Sequence, residues 1–324
     1  MSPVTMEWES RLGRRLRVRD LYILSAVVKA GSMAKAARAL AMTQPAVSEA
    51  VANLEHILRV RLLDRGPRGV IPTIYADTIL KRSMTVFDEL RQGVRDIEFL
   101  SNSTTGELTI GYTDIIAAVF PKMVERFSEK FPRVLVHVDI VQPPILKSLP
   151  LLRDRRVDLL LARSQRPTAD HVWDDMDTEI LLEDPLVVAV GIESRWARRR
   201  KVDLAELRDE PWILSPPNGL SYELVSAAFK AQGLSMPSAS MMTNTLDLRL
   251  KLLAGGRFIS VIPISALRGA DGNRLRMLPI KIPVARGRAV AIFKLKDRTL
   301  SPVVERFIEC AREVAKSLSR VQGA

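Results

Sequence analysis

The sequence predicts an N-terminal all-α winged helix-turn-helix, a linker helix, and a C-terminal α/β domain of two lobes. Three observations indicate this fold class. Short helical patterns and a Gly/Pro hairpin come first, one long amphipathic pattern follows, and strands then alternate with helices, as in α/β units with parallel strands. We place the three regions at 15–72, 73–105 and 106–324.

Composition narrows the class of protein. Of the 324 residues, 47% are hydrophobic and 27% are charged, as in a protein with a well-packed core. No apolar run reaches the roughly 18–20 residues of a membrane span, and residues 1–10 make a poor export signal, so we expect a cytoplasmic protein without membrane contact. The single cysteine, Cys310, excludes an intramolecular disulfide and is either a buried helix residue or a reactive thiol. The net charge of +12 favours polyanionic partners.

Helix start and stop signals define the first region. The apolar spacing over 20–30 predicts a helix that ends at Gly31, and Ser32 is a natural N-cap for a short second helix of small residues. Thr43 is the next N-cap candidate, and Pro45 falls in the first helical turn, where its missing N–H is not needed. Two short helices joined by a tight turn are typical of a helix-turn-helix.

The third helix has one apolar side and one polar side. Val47, Val51, Leu54 and Leu58 recur at helical spacing and form the side expected to be buried. Gln44 stands at the exposed start, where its amide can pair with adenine, and Ser48 can bond a base edge or a phosphate. A plain three-helix bundle with a solvated face is the alternative interpretation.

A hairpin follows the third helix. Two short apolar runs within 62–72 surround Gly66-Pro67-Arg68-Gly69, which predicts a turn. Arg65 and Arg68 near its tip suit the negative potential of a narrow minor groove, and this assignment depends on the position of the hairpin beside the helix pair; plain surface charge is the alternative interpretation.

These residues resemble a known family. The resemblance is carried by Ala30-Gly31-Ser32, Ala36-Ala37, Leu40, Thr43-Gln44-Pro45-Ala46-Val47-Ser48, Leu54-Glu55 and Leu62-Leu63-Asp64-Arg65. The set is similar to the signature of LysR-type transcriptional regulators, which implies a major-groove role for the third helix and a wing role for Arg65. Glu49 departs from the basic or polar residue of several members, and either accepts from a cytosine amino group or orients Ser48. The residues assigned to DNA binding are Ser32, Lys35, Thr43, Gln44, Pro45, Ser48, Glu49, Arg65 and Arg68.

The linker is one long amphipathic helix. Thr73 can cap a helix that runs to about Leu100, and several of its apolar residues are spaced by seven. This periodicity fits packing against a partner helix or against the same chain. The resemblance implies an antiparallel dimer contact that sets the distance between two DNA-binding heads. The residues assigned to dimerisation are Ile79, Val86, Phe87, Leu90, Val94 and Ile97.

The C-terminal region predicts a ligand cleft. In open α/β sheets, ligands bind at the carboxyl ends of strands, where helix N-termini also point. Polar residues at these places suit a small polar ligand, and each also suits a cap or turn role. The residues assigned to the effector are Thr113, Asp114, Gln142, Ser215, Asn218 and Thr245. An acid such as Asp114 would repel a carboxylate unless protonated or paired, and Arg163 near the crossover is a candidate to compensate it.

This region also resembles the effector-binding domain of the same family. The matching segments are 106–111, Asp184-Pro185-Leu186, Pro211-Trp212-Ile213-Leu214 and 260–263. The resemblance implies the fold of periplasmic binding proteins, in which the chain crosses twice between lobes. We therefore expect lobe 1 at about 106–179 and 283–324, and lobe 2 at about 180–282.

Enzyme signatures are missing from the sequence. His56, His137 and His171 are far apart, and we find no phosphate-binding Gly-rich loop, nucleophile elbow or paired-cysteine motif. We therefore expect a regulator without metal or cofactor. Its expected partners are a promoter inverted repeat in double-stranded DNA, a small-molecule effector, a second copy in a homodimer that pairs into a tetramer, and RNA polymerase. An enzyme with a scattered site is the alternative; a solute-binding protein fits poorly with the N-terminal helices and the lack of an export signal.

Overall fold

The fold is taken from a computed structural model, which describes residues 13–66, 69–101, 105–163, 171–217, 219–269, 272–280 and 289–322. The chain divides into two compact units, Met1–Val94 and Arg95–Ala324. None of the described helices is long and apolar enough to cross a membrane.

The first unit holds the three predicted helices and the hairpin. After a short helical turn at Gly13–Arg15, its elements are α1 Val18–Ala30, α2 Met33–Ala39, α3 Gln44–Leu58, β1 Leu63–Gly66 and β2 Gly69–Pro72. Helix α1 ends at Gly31, which adopts a left-handed φ of 65°. Helix α3 begins at Thr43, whose hydroxyl accepts a hydrogen bond from the backbone N–H of Ala46 at 3.4 Å. The predicted buried side of α3 is confirmed for Val47, Val51 and Leu54, which are fully buried, whereas Leu58 is half-buried.

Two contacts fix the hairpin to the helices. The Val70 N–H donates to the carbonyl of Gly31 at 3.1 Å. Gly69 adopts a φ of +117°, and a Cβ placed there would lie 2.4 Å from the Gly31 oxygen, so a side chain cannot fit without movement of the backbone. On the other strand, the Glu55 carboxylate accepts from the N–H groups of Leu62 at 2.7 Å and Leu63 at 3.2 Å. The hairpin therefore packs firmly beside α1 and α3.

The linker is helix α4, Ile74–Ser101, close to the predicted span. Its start is capped by Thr73, whose hydroxyl accepts from the Ala76 N–H at 3.3 Å.

The first lobe of the second unit surrounds a mixed five-stranded sheet. Its strands are β3 Thr105–Thr113, β4 Arg133–Val141, β5 Leu159–Arg163, β6 Met176–Glu183 and β12 Ala289–Leu295, in the order β4-β3-β5-β12-β6. Its helices are α5 Phe120–Lys130, α6 Leu149–Arg153 and α9 Pro302–Gln322. Apolar clusters cover both faces of the sheet. Cys310 of α9 is buried in one of them, and burial raises the pKa of its thiol, so the buried alternative is the correct one.

The second lobe has the same architecture. Its strands are β7 Leu186–Gly191, β8 Trp212–Leu214, β9 Ala239–Met242, β10 Ile259–Pro263 and β11 Leu275–Met277, in the order β11-β7-β10-β8-β9. Its helices are α7 Leu220–Ala231 and α8 Leu246–Ala254. Short 3-10 helices complete the unit at Asp114–Ile116, Ile145–Ser148, His171–Trp173, Leu204–Leu207, Ile264–Arg268 and Gly272–Arg274.

The prediction of parallel strands is wrong for part of each sheet. β3, β4 and β5 are parallel, as are β8, β9 and β10, whereas β12 pairs antiparallel with β5 and β6, and β7 pairs antiparallel with β10 and β11. The antiparallel strands are those next to the crossings between the lobes. They do not belong to strand–helix–strand units, which produce parallel pairing. The first crossing between the lobes falls at Asp184-Pro185. The sequence pattern predicts it a few residues earlier, near 179. The second lies between β11 and β12, and residues 281–288 are outside the described residues.

Candidate nucleic-acid interface and ligand cavity

The exposed face of α3 starts at its N-terminus. Thr43, Gln44, Pro45 and Glu49 are exposed, and Ser48 is half-buried at the edge of the face. The helix is held by its buried side and by the Asn53 amide, which donates to the Asp20 carboxylate of α1 at 3.3 Å. The face therefore presents polar side chains on a rigid element.

The other predicted DNA contacts lie on neighbouring elements. Ser32 is the N-cap residue of α2, but its hydroxyl makes no capping hydrogen bond and is half-exposed. Lys35 is exposed on the first turn of α2, and Arg65 lies in β1. Arg68 lies outside the described residues.

The linker helix carries an exposed apolar seam. Four of the six predicted dimerisation residues are exposed, namely Val86 at 41%, Leu90 at 54%, Val94 at 57% and Ile97 at 65%. Ile79 and Phe87 instead pack against the apolar core of the first unit, and the Phe87 ring lies edge-on to Tyr22 with 5.8 Å between centroids. Packing within the same chain thus accounts for Ile79 and Phe87, and the partner contact of the four exposed residues stays a prediction.

A cavity of about 320 Å³ lies between the two lobes. Five of the six predicted effector residues line it: Thr113, Asp114, Gln142, Ser215 and Thr245. The sixth, Asn218, lies outside the described residues. The apolar part of the lining comes from Ile115, Ile140, Val141, Pro143, Pro144 and Ile145. A lining that combines apolar side chains with a few polar groups is typical of small-molecule sites.

Two of these residues also have structural roles. The Ser215 hydroxyl accepts from the Ser221 hydroxyl at 2.8 Å and from the Tyr222 N–H at 3.0 Å, so it stabilises the start of α7. Thr245 is the N-cap residue of α8, and its side chain makes no capping hydrogen bond.

Asp114 joins the lobes across the cavity. Its carboxylate follows β3 of the first lobe and accepts a hydrogen bond from the backbone N–H of Leu246, the first residue of α8 in the second lobe. The positive end of that helix therefore offsets part of the negative charge of Asp114. Arg163, the suggested compensating residue, is instead paired with Asp184.

Asp184 is the centre of a buried cluster at the crossing between lobes. It is 0% exposed and accepts from Arg163 Nη1 at 3.1 Å, from the Ser265 N–H at 2.9 Å and from the Ser265 hydroxyl at 2.9 Å. Burial lowers the pKa of Arg163, and the attraction of Asp184 opposes this shift. The family resemblance included Asp184 without giving it a role.

Arg249 is a charged residue of the cavity that the sequence pattern did not indicate. It is 1% exposed on α8, and its guanidinium donates to the carbonyls of Val261 at 2.9 Å and Thr243 at 2.7 Å. Burial lowers the pKa of Arg249 to about 10, partly offset by attraction to Asp114, so the group is charged at neutral pH. A charged residue on the apolar stripe formed by Leu246 and Leu253 was the signal that could have revealed it.

The described residues contain no group of three or more side chains arranged to hold a metal ion.

Comparison with known proteins identifies relatives of both units. The family model "Bacterial regulatory helix-turn-helix protein, lysR family" matches residues 18–76, and the model "LysR substrate binding domain" matches residues 101–316. The HTH-type transcriptional regulator TdcA of Escherichia coli K12 is 27% identical over 277 residues, which cover 85% of this chain and 86% of TdcA.

Solved structures share the fold. A full-length OxyR variant from Pseudomonas aeruginosa has a TM-score of 0.57 at 20% identity, covering 93% of this chain and 95% of that one. Full-length CbnR in complex with its target DNA has a TM-score of 0.55 at 20% identity, covering 92% of this chain and 100% of that one. At this identity the likeness concerns architecture alone.

Proposed function

Because this chain belongs to the LysR family of bacterial transcriptional regulators, we propose that α3 reads operator DNA and that the inter-lobe cavity binds the effector. The chain is a DNA-binding transcriptional regulator with a substrate-binding effector domain. The relatives named as transcriptional regulators confirm the prediction of a regulator rather than an enzyme.

The observation that supports the reading role is the exposed polar face of α3. Gln44 and Ser48 contact base edges or phosphates in the major groove, with Glu49 beside them. Thr43 and Pro45 lie at the helix start, where free N–H groups favour phosphate. Ser32 and Lys35 of α2 contact the DNA backbone, and the wing arginines Arg65 and Arg68 approach the adjacent minor groove.

The seam of Val86, Leu90, Val94 and Ile97 pairs two copies through their linker helices. Its support is the exposure of apolar side chains at helical spacing on one helix, which is costly unless a partner covers them. The dimer presents two reading helices to an inverted repeat, and two dimers assemble into a tetramer on a promoter in the cytoplasm, beside RNA polymerase.

The effector acts by population shift. A ligand that contacts Thr113 and Asp114 on one lobe and Ser215 or Thr245 on the other favours one arrangement of the lobes. That arrangement changes the spacing of the two heads and the bend of the operator, and thereby transcription.

The test of DNA reading is a binding-selection assay on Gln44→Ala in the full-length protein. We expect a loss of about 1–3 kcal/mol of discrimination at one base pair, because adenine loses a bidentate partner. The matched control is Gln232→Ala, which removes the same exposed side chain beside α7. An unchanged sequence preference for Gln44→Ala would exclude α3 as the reading helix.

A further inference from the structure

We propose that the cavity binds a small zwitterion, with its anionic group at Arg249 and Thr113 and its cationic group at Asp114. This inference rests on the proposed function, namely that the cavity is the effector site, and it specifies the chemical class of the effector.

Two buried polar groups in the cavity have unused hydrogen-bonding capacity. Thr113 is 5% exposed, and its Oγ1 has no hydrogen-bond partner among the described residues. Arg249 is 1% exposed, and its Nε likewise has none, although its two other nitrogens each donate to a carbonyl. Buried polar groups are normally satisfied, and unsatisfied ones lower stability. Both residues line the same cavity, so the proposal assigns an acceptor group of the ligand to them.

Arg249 also lacks a direct counter-ion. No carboxylate oxygen of the described residues lies within 4.0 Å of its guanidinium nitrogens. The other arginine of the lining, Arg163, is paired with the buried Asp184. Among the described residues that line the cavity, Arg249 is therefore the buried cation whose attraction is available to a carboxylate.

The negative charge of Asp114 disfavours a ligand whose only charged group is a carboxylate. One of its oxygens accepts from the Leu246 N–H, and the other accepts from none of the described residues. An anion bound at Arg249 would be repelled by this charge, since Asp114 is the acid whose field acts on Arg249. An ammonium group on the same ligand would be attracted to Asp114. It would donate a hydrogen bond to the carboxylate oxygen that does not accept from Leu246. The volume of about 320 Å³ leaves room for a short aliphatic part against Ile115, Ile140 and Ile145.

The experiment is a calorimetric binding panel on the full-length protein. The probes are the common α-amino acids, β-alanine, 4-aminobutyrate and 5-aminopentanoate, each compared with the carboxylate that lacks its amino group. We expect at least one zwitterion to bind at least tenfold more tightly than its deaminated counterpart. If no zwitterion does so, the proposal is overturned.

Two variants test the contacts assigned to the ligand. Asp114→Asn should weaken the preferred zwitterion at least tenfold and reduce or reverse its advantage over the deaminated counterpart. Thr113→Val, which keeps the side-chain shape, should weaken both ligands. The control is Asp175→Asn, an exposed acid of the first lobe outside the cavity, which should keep the preference of the unmodified protein. An unchanged preference in Asp114→Asn would overturn the assignment of the ammonium site. Operator binding measured in parallel separates the two proposals, because sequence-specific DNA binding without zwitterion binding refutes only the effector class.

Discussion

Replacing Asp184 by alanine should destabilise the effector domain by about 3–5 kcal/mol, the usual cost of leaving a buried charge without its partner. Arg163 is 3% exposed and Asp184 is 0% exposed, so water cannot replace the lost carboxylate. The substitution also removes the acceptor of the Ser265 N–H and hydroxyl, each 2.9 Å from a carboxylate oxygen. Burial already lowers the pKa of Arg163 with Asp184 present, which indicates that desolvation is the larger effect.

The matched control is Asp175→Ala. Asp175 pairs with Arg153 at 2.8 Å, but these side chains are 44% and 36% exposed, so the loss should be about 0–1 kcal/mol. The assay is urea unfolding of the full-length chain followed by tryptophan fluorescence, to which the buried Trp196 and Trp212 of the second lobe contribute.

A double variant tests the cause. Arg163→Met with Asp184→Leu removes both charges and should recover part of the stability lost by Asp184→Ala, because no unpaired ion stays buried, while the Ser265 donors still lack their acceptor. The reasoning is refuted if Asp184→Ala costs no more than Asp175→Ala, or if the double variant is less stable than the single one.

Two further predictions concern the DNA-binding unit and the linker. Gly69→Ala should cost about 1–3 kcal/mol in thermal unfolding and weaken operator binding, because of its φ of +117° and the 2.4 Å approach to the Gly31 oxygen. In Gly66→Ala the added Cβ meets no atom of the described residues within 4 Å, so stability should change by less than about 0.5 kcal/mol. Equal losses for Gly69→Ala and Gly66→Ala would contradict this reasoning. Leu90→Glu should raise the dimer dissociation constant at least about tenfold in sedimentation experiments, because it buries a carboxylate in an apolar contact. Leu146→Glu changes a leucine of the effector domain that is 37% exposed and should leave assembly unchanged; a fully dimeric Leu90→Glu protein would exclude the seam.

The N-terminal unit was predictable because its signals are local. Gly31 ends one helix, Thr43 starts another, and the spacing of Val47, Val51 and Leu54 defines the buried side, all within a few residues of one another. Propensity and periodicity operate at this range, so the sequence pattern and the structure agree.

The edge strands of the second lobe and the strands near the crossings could not be predicted from local signals. The edge strands β9 and β11 have 4 and 3 residues, too few for a periodic signal. β6 and β12 are longer, at 8 and 7 residues, but their antiparallel pairing joins segments more than a hundred residues apart in sequence. Long-range pairing leaves no trace in the local pattern of a single sequence.

The ligand cavity was predicted in part. Thr113 is the last residue of β3, and Asp114 and Gln142 directly follow β3 and β4, two strands whose ends could be recognised. Arg249 lies inside a helix, where a basic residue is normally expected at the surface. The pairing of Arg163 with Asp184 likewise depends on the path of the crossing, which periodicity does not define.

Ile115 follows directly after Asp114 and packs against the apolar cores of both lobes. If Thr113 and Asp114 hold the effector as proposed, the ligand contacts and a contact between the lobes lie at neighbouring positions of one short segment. A substitution of Asp114 meant to change ligand preference would also remove its hydrogen bond to the Leu246 N–H of the second lobe. A second substitution at the start of α8, which faces Asp114, would be needed to restore the contact between the lobes. Ligand preference should therefore be engineered on both sides of the cavity at once.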